Sequence, residues 1–431
     1  MVPMGTQVRE VLDCFAKGGV DMANLMVGID VSLRNHAVQF MNDSGDALAS
    51  FSIPNDLTGA EILLQRVLES ADKYQADLVR IGMEATSNLG WHLAHFLKAK
   101  LHQTPYFKAQ VFVLNARKVA RFKKGYDCLP KNDRIDAWVI ADQLRFGRLP
   151  HELTSCIQFE ALQRLTRTRF HLMQNITRDK TFFLNQVFLK FSGLRQDNPF
   201  SSMFGATCLA VLQELEPEQI VSMSITELVD FLKEKGKNRF DNPEELALFL
   251  QKLARSSYRL DKAMADPVNL SLAVMLSVIQ TMEKEVSKLD KEIEKIMKSI
   301  PETVSSVKGI GPVFAAGIIA EIGDIARFPN NNALAKYAGL VWSQYQSGEF
   351  ESQETKRLRT GNKYLRYYLI QAANQVRRFD SEYAAFYADK YSQALKHKHK
   401  RALVLTARKL VRLVFMLLKT KQLYTPPERR G

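Results

Sequence analysis

Between residues 25 and 147 the chain alternates short apolar runs with longer stretches of helical spacing, in an order that few folds accept. "LMVGIDV" (25–31), residues 36–41 and residues 47–53 each read as strands, rich in β-branched and apolar residues. The last two are joined by the turn Asn42-Asp43-Ser44-Gly45-Asp46. Leu57, Ile62, Leu63, Val67 and Leu68 then recur at helical spacing in a stretch that runs to Tyr74. "DLVRIGME" (77–84) is a strand, "LGWHLAHFLKAK" (89–100) a helix and "AQVFVLN" (109–115) a strand. "NDRIDAWVIADQLRFG" (132–147) is a helix that stops at Gly147 and Pro150.

The resulting order, β-β-β-α-β-α-β-α, is that of an α/β ribonuclease H-like (RuvC-like) domain, though other α/β folds share it. This domain is assigned to residues 25–150, after an N-terminal extension of residues 1–24. Residues 151–300 read as a helical, coiled-coil linker. It holds one long amphipathic helix over 157–193 and a second over 271–299. In the second, Ile279, Met282, Val286, Leu289, Ile293 and Ile296 form a seam at spacings of three and four. Between them, 195–255 carries turn signals at Pro199, Pro217 and Pro243 and reads as an insertion capping the two long helices. Residues 301–431 form a mainly α domain. It opens with two short helical segments around Gly309-Ile310-Gly311, a helix-hairpin-helix-like element, and ends in basic helices.

Charge is distributed unevenly. Residues 354–431 hold 19 Lys or Arg against 5 Asp or Glu, which accounts for the whole net charge of +14 and leaves the remainder balanced. A basic end on a neutral body points to a polyanion, nucleic acid first. The four cysteines (Cys14, Cys128, Cys156, Cys208) are scattered without paired spacing, which argues against a zinc site or a disulfide framework. The apolar stretches, such as Val411–Leu418, look too short and too basic to cross a bilayer, and Met1–Ala23 has no signal-peptide core. The expectation is a cytoplasmic, nucleoid-associated protein with no membrane partner.

Asp30 sits inside an apolar strand, where an ionised side chain is expensive unless it is paired or metal-bound. Glu84 ends another strand; Asp133 and Asp136 open a helix three residues apart, on one helical face. In a ribonuclease H-like sheet the first and fourth strands are neighbours and the last helix packs across their ends, so the four acids converge. Four oxygen donors without His or Cys suit Mg²⁺, or Mn²⁺, and such ions serve phosphodiester chemistry. Taken singly, Asp133 is equally well a first-turn acid favoured by the helix dipole, and Glu84 a strand-end surface residue. Asp142, two turns beyond Asp136, reads as solvent-facing.

Just before this helix, "NARKVARFKKG" (115–125) offers Lys118, Arg121, Lys123 and Lys124 for phosphate contact, or forms a solvated loop. Lys308, Gly309 and Gly311 suit backbone binding of DNA at a glycine turn, or a purely structural hairpin. Lys356, Arg357, Arg359, Lys363 and Arg366 form a further basic run, interleaved with Tyr364, Tyr367 and Tyr368 that either stack on bases or pack.

These residues together resemble the DEDD transposases of the insertion sequence 110 family. The likeness rests on "VGIDVS", "GMEATSNLGWHLAHFL", "LNARKVARFKKG" and "KNDRIDAWVIAD", and later on "VKGIGPVFAAGIIAEIGD", "ALAKYAGLVWSQYQSG" and "GNKYLRYYLIQAA". The resemblance implies Asp30, Glu84, Asp133 and Asp136 as catalytic metal ligands, and a nucleophilic serine that falls on Ser347. It also implies double-stranded donor and target DNA, a guide (bridge) RNA, and a homo-oligomer, dimer and synaptic tetramer. Trp342 stands where the family usually has proline, and "SGEFESQETKRLRTGN" replaces a glycine-rich basic run. Ser343 and Ser352 therefore remain competitors of Ser347. The function expected is an RNA-guided DNA recombinase working through a phosphoserine. The rivals are a RuvC-like nuclease that uses water and a non-catalytic nucleic-acid-binding protein.

Overall fold

The computed structural model describes residues 24–126, 129–153, 157–342, 346–347, 350–351 and 360–426. The chain divides into two compact units, residues 1–155 and 156–431.

In the first unit the apolar runs form strands β1 (Asn24–Asp30), β2 (Asn35–Met41), β3 (Ala47–Pro54), β4 (Leu78–Glu84) and β5 (Lys108–Leu114). They make one sheet of order β3-β2-β1-β4-β5. β1–β2 and β2–β3 pair antiparallel; β1–β4 and β4–β5 pair parallel. This is the ribonuclease H-like arrangement. The parallel pairs require crossovers, supplied by α1 (Leu57–Lys73) and α2 (Trp91–Leu101). Strand alternation then sorts the core. Leu25, Val27, Ile29 and Val31 pack with Leu63 and Val67 of α1 and Leu93 and Leu97 of α2 on one face. Met26 packs with Val139, Ile140 and Leu144 of α4 (Asp133–Phe146) on the other.

Gly28, on that second face, sets how close α4 can come. A Cβ there would lie 2.1 Å from the Ala137 carbonyl oxygen and 2.4 Å from the Ala141 nitrogen, so only glycine admits the helix. The basic stretch before α4 is a helix, α3 (Ala116–Lys123), capped by Asn115, rather than a loop.

In the second unit α5 (Ile157–Lys190) and α11 (Lys262–Met297) lie antiparallel, tied by Lys180–Glu283 and Arg169–Asp290 ion pairs. The seam expected on α11 faces inward: Ile279, Val286 and Ile293 are buried. Between the long helices come α6 (Ser192–Gln196), α7 (Ala206–Glu214), α8 (Pro217–Ser222), α9 (Ile225–Gly236) and α10 (Pro243–Ser256). They share a core with Ile176, Phe183 and Val187 of α5 and Val268, Leu272 and Leu276 of α11. α11 departs from the sequence reading in one respect: by length and composition it is apolar enough to cross a membrane. Its first half is nearly free of charge without being one continuous apolar run.

A separate core gathers α12 (Pro312–Ile322), α13 (Asn331–Ala338), α14 (Lys363–Phe379) and α16 (Lys398–Thr420), with α15 (Ser381–Ser392) at its edge. About Gly309–Gly311 the first of the two expected helical segments is a single 3-10 turn, Val304–Ser306, and the second is α12. Val304, Val307 and Ile310 are buried in the domain core, while Ser305 and Lys308 between them are exposed.

Candidate functional site

Asp30 and Glu84 end neighbouring parallel strands, one position past the Ile29–Met83 pair. Both share parity with Gly28 and Gly82 and so project on the α4 face. Asn132 caps α4 by accepting from the Ile135 N–H at 2.8 Å, which leaves Asp133 and Asp136 in its first turn, at the same edge. Asp30 therefore lies within electrostatic reach of the other three carboxylates, and Glu84 within reach of Asp136. Burial, then Asp136, Asp133 and Glu84, push the Asp30 carboxyl up to about 6. Burial, then Asp136, also raises Glu84.

Lys123, on α3, opposes this charge. Its Nζ donates to Asp136 Oδ1 at 2.6 Å and to the Pro130 carbonyl at 3.4 Å. The residue chosen from sequence as a phosphate contact thus serves the acid cluster itself. Lys118, Arg121 and Lys124 on or just past the same short helix are exposed. Among the described residues, no three His, Cys, Asp or Glu side chains are close enough together to hold a metal ion. The donor set nevertheless fits a hard divalent cation: four carboxylates, no nitrogen or sulfur, and more negative charge than Lys123 offsets.

Asp142 is a correction to the sequence reading: it is buried, accepts a hydrogen bond from Tyr126 Oη, and pairs with Arg145 Nε at 2.6 Å. It fastens α4 to the segment after α3.

In the second unit Ser347 lies in the two-residue strand β6 (Gln346–Ser347), paired antiparallel with β7 (Phe350–Glu351). Ser343, Ser352, Lys356, Arg357 and Arg359 lie outside the described residues. Lys308 and Gly311 are exposed, whereas Gly309, at φ +98°, lies where a Cβ would come within 2.9 Å of the backbone of Gln375 and Val376. Lys363 is exposed beside the rings of Phe170 and Tyr364. Arg366 donates to the carbonyls of Ala338 and Thr360, both at 3.2 Å. Tyr368 is a core residue whose hydroxyl donates to the Thr166 carbonyl at 2.7 Å; Tyr364 and Tyr367 pack edge-on against Phe170.

Sequence reasoning passed over Glu321. It is 1% exposed, and its carboxylate accepts from Arg167 Nε (2.6 Å) and Nη2 (2.9 Å) and from Asn362 Nδ2 (2.6 Å). The signal was available: an acid inside the apolar run "AAGIIAEIGD" poses the same question as Asp30 in its strand.

The mixed five-stranded sheet and the helical second unit define a ribonuclease H-like protein with an appended helical domain. Two family models match the chain. The IS110-type DEDD model, described as transposase, covers residues 27–188, and the transposase IS116/IS110/IS902 family model covers 302–388. A 44.8 kDa protein of insertion element IS116 from Streptomyces clavuligerus is 24% identical over 93% of this chain and 96% of its own length. A protein of the IS117 mini-circle of Streptomyces coelicolor is 27% identical over 74% of this chain and 76% of its own. Among solved structures, Thermus thermophilus RuvC in complex with a Holliday junction substrate aligns over 31% of this chain and 99% of its own, at 13% identity and a TM-score of 0.23. The chain belongs to the IS116/IS110/IS902 family of transposases, enzymes that act on DNA.

Proposed function

We propose that the chain cuts and rejoins the DNA of a mobile element at a divalent-cation site formed by Asp30, Glu84, Asp133 and Asp136, with Ser347 as the nucleophile. The observation that carries the first half is the excess of carboxylate at the sheet edge: burial, and after it Asp136, Asp133 and Glu84, push Asp30 up to about 6 against the opposition of Lys123. Mg²⁺, or Mn²⁺ in its place, suits these oxygen donors; when bound, it supplies positive charge to the scissile phosphate and to the attacking and leaving oxygens. The four carboxylates hold and orient it, and the exposed Lys118, Arg121 and Lys124 bind flanking phosphates.

The serine step is an exchange of esters. A bond forms between Ser347 Oγ and phosphorus as the bond to the leaving sugar oxygen breaks, and the serine proton ends on that oxygen. Attack by a hydroxyl of another strand reverses the sequence and frees the serine. Family membership and the position of Ser347 in "QSG" support this assignment. The same resemblance supports a guide RNA, and a homodimer that closes into a synaptic tetramer, where the acids of one subunit serve the serine of another. The +14 charge, concentrated in the C-terminal residues, suits two nucleic-acid partners.

Ser347→Ala tests the central claim. The protein–DNA adduct and strand exchange are expected to vanish. Persistence of the adduct moves the nucleophile to Ser343 or Ser352, and metal-dependent hydrolysis by water as the main activity of the parent chain favours the nuclease reading. Mixing Asp30→Ala with Ser347→Ala chains restores activity if the centre is shared between subunits. Sequencing RNA that co-purifies with the chain is expected to return one species from the element's non-coding end; random cellular fragments overturn RNA guidance.

A further inference from the structure

Residues 337–340 and 360–362 flank the segment that carries Ser347, and the fold ties them directly to each other. The Asn362 N–H donates to the Tyr337 carbonyl at 2.6 Å, and Arg366 Nη1 bridges the carbonyls of Ala338 and Thr360. Gly361 (φ +97°) and Gly339 (φ +69°) face each other so closely that a Cβ on Gly361 would lie 2.6 Å from the Gly339 nitrogen, and one on Gly339 would lie 2.1 Å from the Thr360 carbonyl oxygen. Residues 337–340 and 360–362, which bracket the serine segment in the chain, therefore meet at one narrow neck.

Beneath that neck lies Glu321. Its carboxylate receives the fork of Arg167 from α5 and the amide of Asn362. The Asn362 Oδ1 in turn accepts the Tyr364 and Leu365 N–H groups at 2.9 and 3.1 Å, capping α14, while the Arg167 guanidinium lies 4.7 Å from the Tyr364 ring centre. One buried carboxylate thus fixes three elements, α5, α12 and α14, at the point where the serine segment begins and ends. Apolar residues of similar volume would hold these helices at least as firmly, because burying a carboxylate carries a desolvation penalty. What the charged network adds is direction: a bidentate fork and a cap that accepts two N–H groups permit one arrangement of the neck.

We propose that Glu321, acting through Arg167 and Asn362, is the positioning residue for the nucleophile, setting the place from which Ser347 is presented to DNA. This rests on the reading of Ser347 as the nucleophile. A displacement of about 1 Å at a reacting atom lowers a rate by about a hundredfold, so a loosened neck costs reaction rate rather than DNA affinity.

The test compares the full-length parent with Glu321→Gln and Arg167→Lys at a temperature where each is fully folded by circular dichroism. Binding of a fluorescent duplex, serine–DNA adduct formation on DNA from the element's ends, and hydrogen exchange of amides 346–351 and 360–366 are measured together. Each variant is expected to form adduct about a hundredfold more slowly, with duplex binding within about threefold and faster exchange at the neck. The double variant should be scarcely slower than either single one, because both break the same link. Unchanged adduct formation per folded molecule, or loss of binding and rate in equal proportion, overturns the proposal. The two readings fail separately: an adduct that survives Ser347→Ala removes the nucleophile assignment, whereas normal adduct formation by Glu321→Gln removes the positioning role alone.

Discussion

Glu321 and Asp30 are both carboxylates withdrawn from water, yet their surroundings treat them in opposite ways. Glu321 has each oxygen met by donors, two from Arg167 and one each from Asn362 and Gln163. Asp30 is partly buried with three further carboxylates for neighbours and the Lys123 ammonium against them, and its proton affinity rises through burial first and those carboxylates next. An acid whose work is internal is neutralised by the chain itself. The acids at the sheet edge carry more negative charge than Lys123 offsets.

The sharpest way to break this comparison is to neutralise Asp30. Asp30→Asn should lower DNA strand cleavage by about a thousandfold, as removal of a principal electrostatic group does, while making the chain more stable at pH 7. The sign follows from its pKa. The folded chain holds a proton near pH 5 that the unfolded chain, at the ordinary value of 3.8, has mostly released. Asp30 therefore weakens the fold progressively as pH rises from about 4 through about 6. Since Asp30 is only partly buried, screening reduces the effect to the order of 1 kcal/mol. Urea unfolding across this range should show that fall in the parent and little of it in Asp30→Asn. Destabilisation of the variant at pH 7 would mean that the sheet edge, like Glu321, is neutralised from within.

Glu321→Ala should behave in the opposite manner, costing about 2–4 kcal/mol in urea unfolding because Arg167 and Asn362 lose the buried acceptor they share. An unaltered midpoint would remove the contrast from the other side. The smallest effect belongs to the exposed cations beside the acid edge. Lys118→Ala and Lys124→Ala should each weaken duplex binding modestly and reduce its salt dependence by about one counterion, measured as binding against salt concentration. No change in slope would leave the surplus acids without a phosphate-facing flank.

Much of the acid edge was legible from local rules. Strand parity places Asp30 and Glu84 on one face, and a three-residue spacing places Asp133 and Asp136 together on a helix. Asp142 was misread because its burial depends on Tyr126 and Arg145, which close over it from a neighbouring turn and from its own helix. Lys123 looked like a phosphate ligand because thirteen positions of sequence hide a 2.6 Å contact with Asp136. Glu321 was missed because its partners lie 154 positions before it and 41 after it.

By itself, then, the sequence determined the order of strands and helices, the parity of the acids, and the basic C-terminal end, since each follows from spacing and composition along the chain. Which charges are answered was decided only in three dimensions: Gly28 lets α4 close on β1, Lys123 turns to Asp136, and Arg167 reaches Glu321. Electrostatic interaction depends on distance through space, and neighbours along the chain do not reveal it.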